Sequence, residues 1–150
     1  FMSNLKRKVI DTEILLEFCL KKKKALTPSR SLIIKTLSKH LKPQSAYELQ
    51  KEINKSKKNN INISTIYRVL EFWIKLGLIH KISSINKYLI CLTPNEKHTH
   101  MLNFCTVCEK VVETCNEKMG LNFKKSTAKL DLSFNNSQTI EIPVICPECN

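Results

Sequence analysis

The sequence has 150 residues, a formal net charge of +12 and 42% hydrophobic residues. This length suits one compact domain or two small ones, and no apolar run approaches the ~20 residues that a membrane-spanning helix needs. Acidic residues in "IDTEILLEF" interrupt any signal-peptide core behind the basic N-terminus, so we expect a cytoplasmic protein that is not held in a membrane.

The positive charge is concentrated in the first part of the chain. Residues 1–92 contain 19 Lys+Arg and 6 Asp+Glu, whereas residues 93–150 contain 6 and 7. A polyanion is therefore the expected partner of the first part, and nucleic acid is the leading candidate. The alternative is a solubilising surface, because runs such as "KKKK" (21–24) are usually just solvated.

Four helical segments are predicted in this basic part. The first, "DTEILLEFCL", has Asp11 or Thr12 as its expected N-cap. The second, "LTPSRSLIIKTLSKH", starts with Thr27 as N-cap and Pro28 at the first helical position. The expected apolar faces are Ile14, Leu15 and Phe18 in the first helix, and Leu32, Ile33, Leu37 and Leu41 in the second.

The third and fourth helices carry clearer boundary signals. In "SAYELQKEINKS", Ser45 and Glu48 have the spacing of a capping box. The fourth helix, "NISTIYRVLEFWIKLG", is expected to begin at Ser64 or Thr65 and to end at Gly77. Its predicted buried face consists of Ile66, Val69, Leu70 and Trp73.

The runs "LIHKIS" and "KYLICL", joined by "SIN", predict a β-hairpin after these helices. Helices followed by a hairpin describe a winged helix-turn-helix, in which the last helix before the wing enters the major groove. On its exposed face, Arg68 can contact a guanine edge or a phosphate, and Tyr67 a phosphate or a thymine methyl. The alternative is an ordinary amphipathic helix with a solvated face.

Beyond Pro94 the pattern changes to two short strands, a helix within 117–130 and a closing strand, "QTIEIPVIC". We therefore predict an α+β protein with a winged-helix domain at 1–90, a hinge at 91–96 and a small α/β domain at 97–150. A segment this short has little core of its own and usually needs a metal, a partner subunit or both.

Two Cys-x-x-Cys pairs form the strongest motif in the chain. Four of its seven cysteines lie in them, at Cys105, Cys108, Cys146 and Cys149. Two such pairs can complete a tetrahedral zinc site, and in a reducing compartment this pattern favours metal over disulfides. Four thiolates leave no open position, so the site should be structural. The alternative is two unrelated pairs or a redox dithiol.

A second set of metal-binding residue types lies on both sides of the predicted hinge. It consists of His80, Cys91, His98, His100, Glu113 and Cys115. A cation held by residues from both sides would fix the angle between the two domains and could so switch DNA binding. Each residue alone is more often a surface or hydrogen-bonded group, and Cys115 is expected to be a buried thiol.

The segments "LTPSR", "SAYEL", "STIYRVLEF", "GLIHKISSINKYLIC" and "FCTVCEKVVETC…CPEC" together resemble the ferric uptake regulator family of bacterial metal-sensing repressors, and most of all its zinc-sensing members. The resemblance runs from about Asp11 to Cys149. It implies a homodimer with an N-terminal winged helix and a C-terminal dimerisation domain. It also implies that the metal-loaded protein binds AT-rich inverted-repeat operators and represses uptake genes.

The resemblance also assigns residues, with two zinc ions per subunit. The double Cys-x-x-Cys would be the structural site, and the regulatory zinc site would be His80, Cys91, His98 and Glu113. His100 is the alternative ligand, because iron-type members carry a ligand there; His98 is favoured. Tyr47 and Arg68 would approach the bases and Arg30 would hold a phosphate.

Zinc is the expected signal, because Cys91 supplies a thiolate ligand. Ferrous iron and manganese prefer oxygen and imidazole ligands without a thiolate. Two alternatives remain: an iron- or manganese-responsive repressor, and a winged-helix protein with only a structural zinc. A zinc enzyme is disfavoured, since a nucleobase deaminase needs a His-x-Glu, which the sequence lacks, and no small-molecule substrate is indicated.

Overall fold

The computed structural model describes residues 11–94, 98–136 and 139–150. The chain divides after Pro94 into an N-terminal unit and a C-terminal unit. The predicted hinge at 91–96 lies partly outside the described residues. The N-terminal unit contains α1 Thr12–Lys21, α2 Pro28–Ser38, α3 Ala46–Ile53, α4 Ile63–Lys75, β1 Ile79–Ile82 and β2 Lys87–Ile90; the C-terminal unit contains β3 His100–Cys105, β4 Val111–Cys115, α5 Phe123–Ala128 and β5 Ile140–Val144.

Side-chain caps start the first three helices as their sequences predict. The Asp11 carboxylate accepts a hydrogen bond from the backbone N–H of Ile14 at 2.9 Å, which decides between the two expected caps of α1. Thr27 caps α2, and Ser45 forms the predicted capping box with Glu48. These local bonds satisfy N–H groups that have no partner within a helix.

Helix α4 begins earlier than expected. Its N-cap is Asn62, whose side-chain oxygen accepts from the backbone N–H of Thr65 at 2.9 Å and from the Ser64 hydroxyl at 2.7 Å. The prediction of a start at Ser64 or Thr65 was therefore wrong, because Asn62 competes for the same role and is an equally good cap. The helix ends as predicted, with Gly77 at a φ of +79°.

The core of the N-terminal unit lies between the helices and the hairpin. The predicted buried face of α4 is confirmed, and its Trp73 is fully buried and donates through Nε1 to the Arg30 carbonyl at 3.1 Å. Two predicted core residues are instead exposed, Ile14 by 45% and Leu41 by 67%. Leu41 lies beyond the end of α2, and the buried residues of α1 are Leu15, as predicted, and Cys19.

The predicted hairpin is confirmed as the antiparallel pair β1–β2, with His80 opposite Leu89. Residue Gln44 extends it, because its backbone exchanges two hydrogen bonds with Tyr88, of 2.9 and 2.8 Å. The hairpin is thereby tied to the start of α3. The N-terminal unit is the winged helix-turn-helix that the sequence predicts, and the hairpin, residues 79–90, is its wing.

The C-terminal unit is built on a three-stranded sheet of order β4–β3–β5. Strands β3 and β4 are antiparallel, whereas β3 and β5 are parallel, with Cys105 opposite Val144. The carboxyl ends of β3 and β5 therefore lie at one edge of the sheet. Among the described residues, no helix is long and apolar enough to cross a membrane.

Candidate metal centres and nucleic-acid interface

The sheet of the C-terminal unit brings the two Cys-x-x-Cys pairs together. Cys105 ends β3 and Cys108 lies in the turn to β4, whereas the second pair follows the end of β5. Both pairs bend back on hydrogen-bonded turns, since the N–H of Glu109 donates to the Cys105 carbonyl and that of Cys149 to the Cys146 carbonyl, each at 2.9 Å. A parallel strand pair thus makes neighbours of cysteines that are 41 residues apart.

The four sulfur atoms have the spacing of a metal site. All lie within 4.8 Å of one another, and the Sγ atoms of Cys108 and Cys146 are 3.7 Å apart. A tetrahedron with zinc–sulfur bonds of ~2.3 Å has an edge of roughly 3.8 Å, whereas a disulfide would require about 2.05 Å. The donor set therefore fits zinc, with all four positions filled by protein.

The electrostatics of the cluster also favour a cation. Backbone N–H groups, including those of Cys108 and Cys146, point at the Cys105 sulfur and lower the pKa of its thiol to about 6. Hydrogen bonds to the neighbouring sulfurs raise the pKa of Cys149 to about 12. The cluster thus carries a thiolate at neutral pH, and a bound metal would displace the remaining protons.

In the N-terminal unit, His80 and Cys91 form a buried pair on the wing. His80 lies in β1, and the backbone N–H of Cys91 donates to the Leu78 carbonyl at 2.9 Å, which continues the β1–β2 ladder by one step. Both residues are buried, and their ligand atoms lie within 4.8 Å of each other. Two donors of the predicted regulatory site are therefore adjacent within one unit.

In the C-terminal unit, Glu113 pairs with His100. The His100 Nδ1 is 2.9 Å from Glu113 Oε1, although the strand register places Glu113 opposite Leu102, so the pair is diagonal across β3 and β4. The carboxylate side chain is only 3% exposed, and a buried carboxylate requires a charged or hydrogen-bonding partner. The favoured ligand, His98, has its ring centroid 4.7 Å from that of His100.

The preference for His98 came from counting back from Cys105, whereas the register of β3 and β4 brings His100 to Glu113. A signal was present: His98 and His100 alternate at strand spacing, which makes both candidates for one face. The leftover thiol, Cys115, is buried at the end of β4, where its sulfur accepts from the backbone N–H of Lys118 at 3.5 Å.

The candidate nucleic-acid interface is the outer face of α4 with the start of α3. Arg68 is exposed, and Tyr67 is half-buried. Tyr67 meets the ring of Tyr47, which is 63% exposed, edge-to-face at a centroid distance of 6.4 Å. Three of the expected DNA contacts thus lie on neighbouring parts of two helices.

Arg30, the fourth expected DNA contact, is engaged within the fold. Its guanidinium carbon lies 3.6 Å from the centroid of the Phe72 ring, and Nη1 donates to the Ala25 carbonyl. No motif in the sequence indicates this cation–π contact, because it depends on how α2 packs against α4. A guanidinium has further donors, so the contact with Phe72 leaves part of it able to bind an anion.

The fold and the cysteine cluster define a winged-helix protein with a candidate metal centre in its second unit. Residues 21–142 match the ferric uptake regulator family, and the chain belongs to that family. The zinc uptake regulation protein of Escherichia coli (strain K12) is 28% identical over 134 residues, which are 89% of this chain and 77% of that protein; the protein of the same name in Shigella flexneri gives the same values.

Two solved structures are similar over most of their length. A zinc uptake regulator complexed with zinc and DNA has a TM-score of 0.79 and 26% identity, and the match covers 91% of each chain. The crystal structure of holo XcZur has a TM-score of 0.75 and 25% identity, over 91% of this chain and 94% of that one.

Proposed function

We propose that this protein is a zinc-responsive transcriptional repressor, which binds inverted-repeat operator DNA as a zinc-loaded homodimer in the cytoplasm and represses zinc-uptake genes. The observation that carries the proposal is the pair of half-sites, His80 with Cys91 and His100 with Glu113. Together they offer two imidazoles, one thiolate and one carboxylate. Zinc accepts this mixed set in a tetrahedron, whereas a thiolate is unusual for ferrous iron or manganese.

We propose two zinc ions per subunit, with different roles. The four cysteines of the C-terminal unit would hold a structural zinc in a closed sulfur shell. The two half-sites would share the regulatory zinc, with His100 in place of His98, because Glu113 already bonds to His100. Since two ligands come from each unit, a shared zinc would link the wing to the dimerisation unit.

The proposed DNA contacts follow from the exposed face of α4. Arg68 and Tyr67 would reach base edges and phosphates in the major groove, and Tyr47 would approach from α3. Arg30 would bind a phosphate with the donors that its contact with Phe72 leaves available. The similarity to a zinc uptake regulator complexed with zinc and DNA supports this arrangement.

The decisive experiment compares metal content and DNA binding in wild type and Cys91→Ser, with Cys115→Ser as the matched control. Both thiols are buried, but only Cys91 belongs to a half-site. We expect two zinc ions per subunit and zinc-dependent binding in wild type and in Cys115→Ser. Cys91→Ser should retain one zinc ion and lose zinc-dependent binding.

Other outcomes would favour the alternative functions. A first such outcome is that wild type contains one zinc ion per subunit and binds DNA equally well with and without a chelator. That result would indicate a winged-helix protein with only a structural zinc. Activation of the chelated protein by Fe²⁺ or Mn²⁺, but not by Zn²⁺, would contradict zinc sensing while retaining the repressor.

A further inference from the structure

The turn between α3 and α4, residues 54–61, is a strongly basic surface outside the proposed DNA contacts. It carries Lys55, Lys57 and Lys58, all exposed. Residues 53–70 contain four Lys+Arg and no Asp or Glu. Within the part of the chain that the structure describes, none of the three lysines forms an ion pair. Their charge is therefore available to a partner.

This lysine turn is held in one conformation by its two ends. The Asn54 side chain accepts from the backbone N–H of Ile61 and donates to the Ile61 carbonyl, both at 2.9 Å. Gln50 donates to the same carbonyl at 3.1 Å, and within the turn the N–H of Asn59 donates to the Ser56 carbonyl at 3.0 Å. A loop that is ordered before binding loses less conformational entropy when it binds.

The position of the turn in the fold indicates its partner. The turn ends directly before Asn62, the N-cap of α4. In a helix-turn-helix protein the N-terminal residues of the recognition helix contact base edges. The segment that leads into that helix therefore lies beside the phosphates at the border of the groove, where lysines and backbone or side-chain amides are the usual contacts.

We infer that the lysine turn is a phosphate-binding loop, in which Lys55, Lys57 and Lys58 contact the backbone of duplex DNA beside the major groove that α4 enters. This inference rests on the proposed function and adds residues that it does not include. The two hydrogen bonds between the Asn54 side chain and the Ile61 backbone position the loop, and Asn54 does not itself contact DNA. The lysine run 21–24 has four positive charges against three in the turn, but it begins at the last residue of α1, which carries Glu13 and Glu17. It is not assigned this role.

The test measures binding of the zinc-loaded full chain to a labelled mixed-sequence duplex over a range of about 50–200 mM salt. Each phosphate contact contributes about 0.9 to the slope of log affinity against log salt concentration. The triple variant Lys55→Gln, Lys57→Gln, Lys58→Gln should lower this slope by at least about 2, and affinity at about 0.1 M salt on the order of a hundredfold. The triple variant with Arg at the same positions should retain both.

The matched control is Lys21→Gln, Lys22→Gln, Lys24→Gln, which removes the same charge from the same unit. It should change the slope by less than half as much. An equal loss in both glutamine variants would overturn the inference, because net charge and not position would then explain binding. An unchanged slope in the lysine-turn variant would overturn it as well, while zinc-dependent binding by wild type would leave the proposed function standing. If wild type does not bind this duplex at any of these salt concentrations, the inference fails; the proposed function fails only if zinc also induces no binding to inverted-repeat DNA.

Discussion

At the scale of a single residue, the Arg30 side chain has two roles: it makes contacts within the fold, and it is a proposed phosphate contact. Its guanidinium covers the Phe72 ring and bonds to Ala25. A cation–π contact and a hydrogen bond at a partly exposed site contribute about 1 kcal/mol each. We therefore expect Arg30→Ala to lower the free energy of unfolding by roughly 1–2 kcal/mol, measured by urea denaturation.

Arg68→Ala is the control for this prediction, because Arg68 is exposed and should change stability by less than about 0.5 kcal/mol. Its effect should instead fall on DNA affinity. Unchanged stability in Arg30→Ala, together with weaker DNA binding, would contradict the assignment and make Arg30 mainly a phosphate contact.

The two histidines at the start of β3 make a second prediction about single residues. Glu113 bonds to His100, and His98 lies beside them. Replacing a metal ligand costs more than the 10–100-fold typical of outer-shell partners. His100→Ala should therefore weaken binding of the second zinc by at least about 100-fold in a chelator competition, and His98→Ala by clearly less. The reverse order would restore His98 as the ligand.

At the scale of the elements, the sequence predicted the helix boundaries that are determined by a few neighbouring residues. The capping box of Ser45 and the Pro28 start of α2 are signals contained within a few residues, and the structure confirms both. The start of α4 was missed because Asn62, Ser64 and Thr65 are all good caps, and only the backbone path chooses between them. Leu41 has the right spacing for the core but follows the last turn of α2.

The candidate sites differ in the same way. Each Cys-x-x-Cys is a local motif, so the four-cysteine site was predictable from spacing alone. The pairing of Glu113 with His100 instead depends on the register of β3 and β4, and a slip of one residue would reverse which side chains share a face. The contact of Arg30 with Phe72 depends on how two helices pack, and the spacing of residues in the sequence does not predict this.

The edge of the sheet where β3 and β5 end makes zinc binding dependent on pH. The pKa of Cys105 is lowered to about 6, so the metal-free fold favours its thiolate. This stabilisation is present above the ordinary thiol pKa of about 8.5 and is lost as the pH falls through about 6. Below that pH, zinc must also displace the Cys105 proton.

We therefore predict that the apparent affinity of the structural zinc falls with decreasing pH. The slope of log affinity against pH should increase by about one below about pH 6, because one more proton is released per zinc ion bound. The measurement is chelator competition in Cys91→Ser, which isolates the four-cysteine site. Adding Cys115→Ser should not alter the profile, because that thiol is not among the four. A constant slope through pH 6 would contradict the prediction.

At the scale of the whole molecule, the chain separates its tasks between two units of different chemistry. The excess positive charge lies in residues 1–92, with the winged helix, and residues 93–150 are nearly neutral. Long-range attraction to DNA is therefore supplied by the first unit alone. The second unit offers apolar surface, including exposed Met119, Leu121, Leu130 and Leu132. We expect exposed apolar side chains on so small a unit to take part in a protein–protein contact.

These exposed apolar side chains predict where the proposed homodimer would form. In α5, all of which the structure describes, no residue is buried, and Leu130 and Leu132 follow it at 70% and 59% exposure. A twofold axis would let the same patch cover itself in a second copy. Leu130→Asp with Leu132→Asp should therefore convert the protein from dimer to monomer in sedimentation velocity, because each interface would bury four carboxylates. Leu41→Asp alters an equally exposed leucine of the N-terminal unit and should remain dimeric. A double variant that still sediments as a dimer would place the interface elsewhere.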